Sequence, residues 1–271
     1  MISASFDYAR AASVDEAIAL LCEDDQAMLL AGGHSLIPRL RRRNARPSRL
    51  VDIGRIDTLR YVREDEGEVA IGALARHSDL VRSRFLAHAC PPLVAAAASI
   101  GDPQVRNRGT IGGSLSQADP AADIPPVLAA AGATLVAQGP SGTRQIPIAD
   151  FFSAEHATTL GGREVLTEIR FPPRAAGTYL RHTRRAHEWP TVGVAAIRAD
   201  DGPRVALAGM GPTVLRAKGV EEALADGASA AEAAARATEH TQPSNDVFAS
   251  SEYRAHLAVV LVRRALEQLP Q

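Results

Sequence analysis

The sequence predicts an α+β fold for a chain of 271 residues. Three observations carry that expectation. Short apolar runs that stop at glycine or proline, such as 28–31 and 50–53, read as buried strands. Capped, alanine- and leucine-rich stretches at helical spacing lie between such runs. Past residue 177, strand-like segments follow one another directly, the pattern of a small antiparallel sheet.

In chain order, Ser13-Val14-Asp15-Glu16 spells a capping box and opens an amphipathic helix over 17–21. Residues 28–31 form a strand that enters a tight turn at Gly32-Gly33, and 50–53 form another strand. Helices are expected over 79–88 and 93–100, the second limited at its start by Pro91-Pro92. Residues 101–119 show neither period. A long irregular stretch inside a compact chain is of the kind that carries function. A helix over 121–131, a strand over 133–138 and a strand over 164–171 follow. Pro172-Pro173 and Gly177 then mark a domain boundary. Beyond it come strands at 178–185, 192–198 and 204–209, and helices at 220–225 and 229–237. An amphipathic helix over 251–269 ends the chain, with Leu257, Val260, Leu261 and Leu266 on one side.

Composition excludes several functions. The net charge is −1, so no basic excess exists to hold a phosphate backbone, and nucleic acid is not expected as a partner. Cys22 and Cys90 are the two cysteines, too few for a disulfide framework or a four-thiolate iron–sulfur site. Lys218 is the single lysine, which argues against Schiff-base chemistry and a phosphate-loop lysine. The start, MISASFDYAR, has no basic-then-apolar leader, and no apolar run is long enough to span a bilayer. A cytoplasmic protein with no integral membrane segment is therefore expected.

Two glycine-rich segments carry the chemistry. In Leu30-Ala31-Gly32-Gly33-His34-Ser35-Leu36-Ile37, an apolar strand runs into two glycines and a hydroxyl. Glycines admit positive φ and close approach, and successive N–H groups then form a concave nest for an anion such as a pyrophosphate. Alone, the segment suits an ordinary strand–turn–helix connection better. In Arg108-Gly109-Thr110-Ile111-Gly112-Gly113-Ser114-Leu115, glycines again stand beside hydroxyls, and Asp123 follows at the start of a helix. That carboxylate suits a helix N-terminus or a sugar hydroxyl. Together the loops can clamp a phosphate linkage from both sides. Neither reads G-x-G-x-x-G, and no Gly-Lys-Ser/Thr follows, so the Rossmann and Walker templates fail. His88-Ala89-Cys90 has no partner at zinc spacing, and no nucleophile elbow surrounds Ser35 or Ser114. The basic run Arg39–Arg43 reads as a solvated face or one that meets an acidic partner.

The pair AGGHSLIP (31–38) and GTIGGSL…ADPAAD (109–123) resembles the FAD-binding medium subunit of molybdenum hydroxylases, the carbon monoxide dehydrogenase and xanthine dehydrogenase group. The likeness extends through Arg46-Pro47…Leu50-Val51-Asp52-Ile53, Ile71-Gly72-Ala73…His77-Ser78-Asp79-Leu80 and the closing helix from Ser251. Arg184-Arg185-Ala186-His187-Glu188-Trp189 resembles the family's RRxGD-aromatic segment, with His187-Glu188 in place of Gly-Asp and Trp189 in place of Tyr or Phe. The chain is also somewhat short for the family, which suggests a trimmed loop.

The resemblance implies a two-subdomain PCMH-type FAD-binding domain over 1–175, with subdomains of about 1–55 and 56–175. A small α+β C-terminal domain over 176–271 follows. It implies FAD as cofactor, with Leu30, Ala31, Gly32, Gly33, His34, Ser35, Leu36 and Ile37 in a pyrophosphate loop. Thr110, Ile111, Gly112, Gly113 and Ser114 would form the second loop, with Ile100, Asp123, Leu166 and Arg181 also at the cofactor. Trp189 is either a stacking residue near the flavin or a core residue. The implied function is electron transfer within a molybdenum-dependent dehydrogenase complex. A small [2Fe–2S] subunit and a large molybdenum-cofactor subunit are the implied partners, with NAD or another acceptor receiving electrons. The alternatives are a stand-alone FAD oxidoreductase built on the same module, and a non-enzymatic module with an emptied pocket.

Overall fold

The computed structural model describes residues 2–269. The first subdomain is built from β1 (Asp7–Arg10), α1 (Val14–Glu23), β2 (Met28–Leu30), α2 (Leu36–Arg41) and β3 (Arg49–Asp52). Its sheet is parallel in the order β1-β3-β2. Ser13 caps α1 by accepting from the Glu16 N–H. Only half of the expected box forms, because the Glu16 carboxylate takes the Ala12 N–H instead (2.7 Å).

The second subdomain starts with β4 (Val62–Asp65) and β5 (Glu68–Gly72). Helices α3 (His77–Arg82), α4 (Arg84–Ala89), α5 (Pro91–Ser99), α6 (Pro103–Arg106), α7 (Ile111–Gln117) and α8 (Ile124–Ala131) follow. Strands β6 (Thr134–Gly139), β7 (Gly142–Pro147), β8 (Phe152–Ala154), β9 (Ala157–Thr158) and β10 (Val165–Phe171) complete it. Its five-stranded sheet, ordered β4-β5-β10-β6-β7, is antiparallel throughout.

The remainder holds β11 (Gly177–His182), β12 (Val192–Ala199), β13 (Gly202–Ala208) and β14 (Leu215–Arg216), an antiparallel sheet in chain order. Helices α9 (Lys218–Ala225), α10 (Ala230–Ala235) and α11 (Ser251–Glu267) cover one face of it. The α+β expectation therefore holds.

Strand β12 shows why the parts cohere. Successive side chains of a strand point to opposite faces. Ala195 and Ile197 join the core of the second subdomain, whereas Val194 and Ala196 join the core under α9–α11. A strand covered on both faces is apolar throughout, as VGVAAI is here. Helix α8, every residue of which is buried, lies against the inner face of this sheet.

Three local expectations are corrected. Residues 101–119 are not irregular, for they hold α6 and α7. Two glycines in IGGSLSQ hide α7 from propensity, and Thr110 capping and burial of Ile111 and Leu115 form it regardless. The helix expected over 79–88 is two helices broken at Ser83, whose extended backbone and hydroxyl cap α4. The strand expected over 178–185 stops at His182. Met1 and residues 270–271 of the expected domain spans lie outside the described residues.

Candidate functional site

A cleft of about 680 Å³ opens between the two subdomains and under the start of the C-terminal sheet. That is within the range of small-molecule and cofactor sites. The two glycine loops meet at its wall. A Cβ on Gly32 would collide with the Arg108 carbonyl and stand 3.0 Å from the Gly109 Cα. Side-chain-free backbone is thus what allows the loops to touch.

The loops differ in what they offer. Gly33 has φ +79°, so the chain turns there in the left-handed region. The amides of Gly32, Gly33, His34 and Ser35 have no acceptor among the described residues, while the Gly33 carbonyl takes the Ile37 N–H (2.9 Å). In the second loop the Ile111 and Gly112 amides donate to the Ala75 and Ala73 carbonyls (2.9 Å each). The Gly113 amide donates to Thr110 Oγ1 (3.1 Å) and the Ser114 amide to the Thr110 carbonyl. This loop brings Gly109, Thr110, Gly112, Gly113 and Ser114 to the cleft, with the hydroxyls of Thr110 and Ser114 among its polar groups.

Asp123 lies at the cleft, 2% exposed. Tyr179 Oη donates to its Oδ1 (2.7 Å), and so does Arg181 Nη1 (2.8 Å). Burial raises its carboxyl above the usual range, while the Arg181 charge and the two donors pull it back. The same burial, with the carboxylate beside it, pushes the Tyr179 phenol well up. His77 also lines the cleft and is 4% exposed, with no partner for Nδ1. Burial first, then the charges of His34 and Arg106, push its imidazole down to about 4. It is held neutral at physiological pH.

Of the residues expected at the cofactor, Ala31, Gly32, Gly33, His34, Ser35, Leu36, Ile100, Thr110, Gly112, Gly113, Ser114, Asp123, Leu166 and Trp189 line this cleft. Four do not. Leu30 ends β2 behind the Gly33 turn. Ile37 stands on α2, 47% exposed, with its Cδ1 where a Gly33 side chain would go. Ile111 begins α7 and is wholly buried in the main core, its amide donating to the Ala75 carbonyl in the turn after β5. Arg181 acts one step back, through Asp123. Trp189 is 55% exposed, which removes the core reading.

The sequence reading missed Tyr179, the role of His77 and the far wall at Thr158, Leu160, Gly161, Gly162 and Glu164. The pair Gly161-Gly162 was a readable signal; the others are brought in by strand pairing.

A cradle of unpaired amides, a hydroxyl loop against it and apolar walls at Ile53, Ile100 and Leu166 fits a dinucleotide with an anionic bridge. Comparison with known proteins agrees. Residues 4–174 match the family described as "FAD binding domain in molybdopterin dehydrogenase", and residues 178–269 match the "CO dehydrogenase flavoprotein C-terminal domain". The carbon monoxide dehydrogenase medium chain of Hydrogenophaga pseudoflava is 39% identical, covering 98% of this chain and 97% of its own length. The 6-hydroxypseudooxynicotine dehydrogenase complex subunit alpha of Paenarthrobacter nicotinovorans is 38% identical, with coverage of 97% and 93%. Among solved structures, a carbon monoxide dehydrogenase from Hydrogenophaga pseudoflava superposes with a TM-score of 0.95, covering 99% of this chain and 98% of that one at 39% identity. Quinoline 2-oxidoreductase from Pseudomonas putida 86 gives 0.93 at 30% identity, with coverage of 99% and 98%.

Proposed function

Because the chain belongs to the FAD-binding medium subunits of the molybdenum hydroxylases, we propose that FAD occupies the cleft and serves there as an electron relay within a multisubunit dehydrogenase. The observation that carries the reading is the contact of the two loops at one cleft: amides at 32–35 without an acceptor among the described residues stand in one, and Thr110 and Ser114 in the other. In this reading both sets bind the diphosphate. Asp123, held by Tyr179 and Arg181, accepts from a hydroxyl of the cofactor, while Ile100 and Leu166 supply apolar walls. The bound flavin supplies the redox chemistry; the chain binds it, orients it and limits water around it.

Two cysteines, one exposed and one buried, cannot ligate an iron–sulfur cluster alone. Electrons would therefore arrive from [2Fe–2S] clusters on a small partner subunit, fed by a large subunit that holds the molybdenum cofactor. They would leave to NAD or another acceptor. The PCMH-type domain would span 1–175, divided near residue 55, and the C-terminal domain 176–271. No helix among the described residues is long and apolar enough to cross a membrane, and a cytoplasmic site of action is part of the proposal.

The test is purification of the chain with whatever accompanies it. A flavin absorbance spectrum, with a native mass that includes a small iron–sulfur and a large molybdenum protein, is the expected result. Turnover of a substrate by the lone chain would point to a stand-alone oxidoreductase. Absence of flavin uptake would overturn the assignment of the cleft.

A further inference from the structure

The segment between β11 and β12 crosses the mouth of the cleft and places His187, Glu188 and Trp189 in its lining. Almost nothing apolar holds it there, since residues 184–187 are all exposed. A stretch with few buried apolar contacts takes its position from its hydrogen bonds. On the inner side, Arg181 donates from Nη1 to Asp123 and from Nη2 to the Glu188 carbonyl (3.2 Å). Across the cleft, His187 Nδ1 bonds the Gly101 carbonyl (2.9 Å), an acceptor that Arg106 Nη1 also reaches (2.9 Å). A carbonyl only accepts, so Nδ1 carries the proton in that bond. On the outer side, Arg184 Nη1 reaches the Val247 carbonyl (3.2 Å).

The backbone points the same way. His187 has φ +66°, in the left-handed region, and the Gly101 it meets has φ +40°. A non-glycine residue persists there only where its surroundings hold it, and such residues gather at ligand clamps. Here the His187 side chain is tied to Gly101, another residue of the cleft lining.

We propose that His187 and Arg181 are positioning residues that latch this strap across the cleft, keeping Trp189 at its mouth and slowing release of the bound cofactor. The inference rests on the reading of the cleft as the FAD site. It adds that the C-terminal domain closes the site through two polar bonds, one of which depends on a side chain at position 187.

Trp189 is the chain's one tryptophan, and its emission in the complex is read as the difference between the parent and Trp189→Phe, which subtracts the partners' tryptophans. The experiment uses the flavin-loaded protein in its complex and compares His187→Gly with His187→Asn. Glycine accepts the backbone conformation but removes the donor; asparagine tolerates the conformation and keeps an N–H. His187→Gly is expected to raise acrylamide quenching of Trp189 and to speed flavin dissociation roughly fivefold, about the worth of one hydrogen bond. His187→Asn should stay near the parent in both. Equal quenching and equal dissociation rates in parent and His187→Gly would overturn the latch. A parent protein that holds no flavin, or holds it undiminished after Gly33→Val, would instead overturn the assignment of the cleft, so the two failures are separable.

Discussion

The loops 31–36 and 109–114 are written in almost the same letters, glycine pairs beside hydroxyls, yet they are built for different tasks. In the first, the backbone turns at Gly33 with positive φ, and four successive amides have no acceptor among the described residues. In the second, the amides of 111–114 are all engaged inside the protein, and its glycines serve close packing. A Cβ on Gly112 would stand 2.7 Å from the Ala73 Cβ and 2.8 Å from its carbonyl oxygen. One loop thus needs glycine for where its N–H groups point, the other for how near its helix sits to the β5 end. Identical composition does not imply identical mechanism. The test of which is which is whether a substitution removes the ligand or the fold.

The largest expected effect follows directly. Gly33→Val places a β-branched residue in a left-handed turn, a conformation that costs roughly 1–2 kcal/mol for an ordinary residue and more for this one. The turn should re-form with its amides redirected. Flavin retention is expected to be lost while thermal unfolding shows only a modest decrease. Gly112→Val should do the reverse, lowering stability by about 1–3 kcal/mol through overpacking and weakening flavin only secondarily. Flavin content by absorbance and midpoint by calorimetry separate the two. If both variants lose flavin and stability in the same proportion, the contrast between the loops is broken.

A second difference concerns protons. His77 lies against the second loop, where a Gly109 Cβ would come within 2.8 Å of its ring. Its imidazole is pushed from 6.5 to about 4, chiefly by burial. Between those values the unfolded chain binds a proton that the folded chain refuses. The stability contributed is therefore complete above about 6.5 and disappears as pH falls to about 4, some ~3 kcal/mol in all. Urea titrations of the flavin-free protein across this window should show that loss. His77→Asn should flatten it, and His34→Asn, in the first loop and exposed, should leave most of it in place. A slope that persists without His77 would assign the acid sensitivity elsewhere.

How much of this was legible follows from where each contact comes from. The first loop was readable because its apolar strand, its glycines and its hydroxyl are contiguous. Helix α11 and three of the four strands of the C-terminal sheet were readable because local period suffices for them, whereas the two-residue β14 is too short to show one. Helix α7 was not, since two glycines contradict it and only the Thr110 cap and the packing of Ile111 create it. Nor was the state of the second loop's amides, whose acceptors at Ala73 and Ala75 lie far back in the chain. The bond from Tyr179 to Asp123 joins residues 56 apart, and neither carries a local sign of the other. The part of the site that sequence conceals is the part that sheet pairing and the C-terminal domain assemble.

The smallest effect sharpens the comparison most finely. Thr110 belongs to both descriptions of its loop: Oγ1 accepts the Gly113 amide as a helix cap, and its own proton is free for the cleft. Thr110→Val keeps the shape and removes both functions. The unpaired Gly113 N–H at this nearly buried cap should cost about 1–2 kcal/mol of stability. Loss of one hydroxyl donor to an anionic group should weaken flavin by roughly tenfold, the effect of about 1.5 kcal/mol. Thr110→Ser retains the oxygen and should restore both. If Thr110→Val loses stability while flavin affinity stays at the parental value, the second loop is a structural cap alone, and the diphosphate is held by the first loop's amides without it.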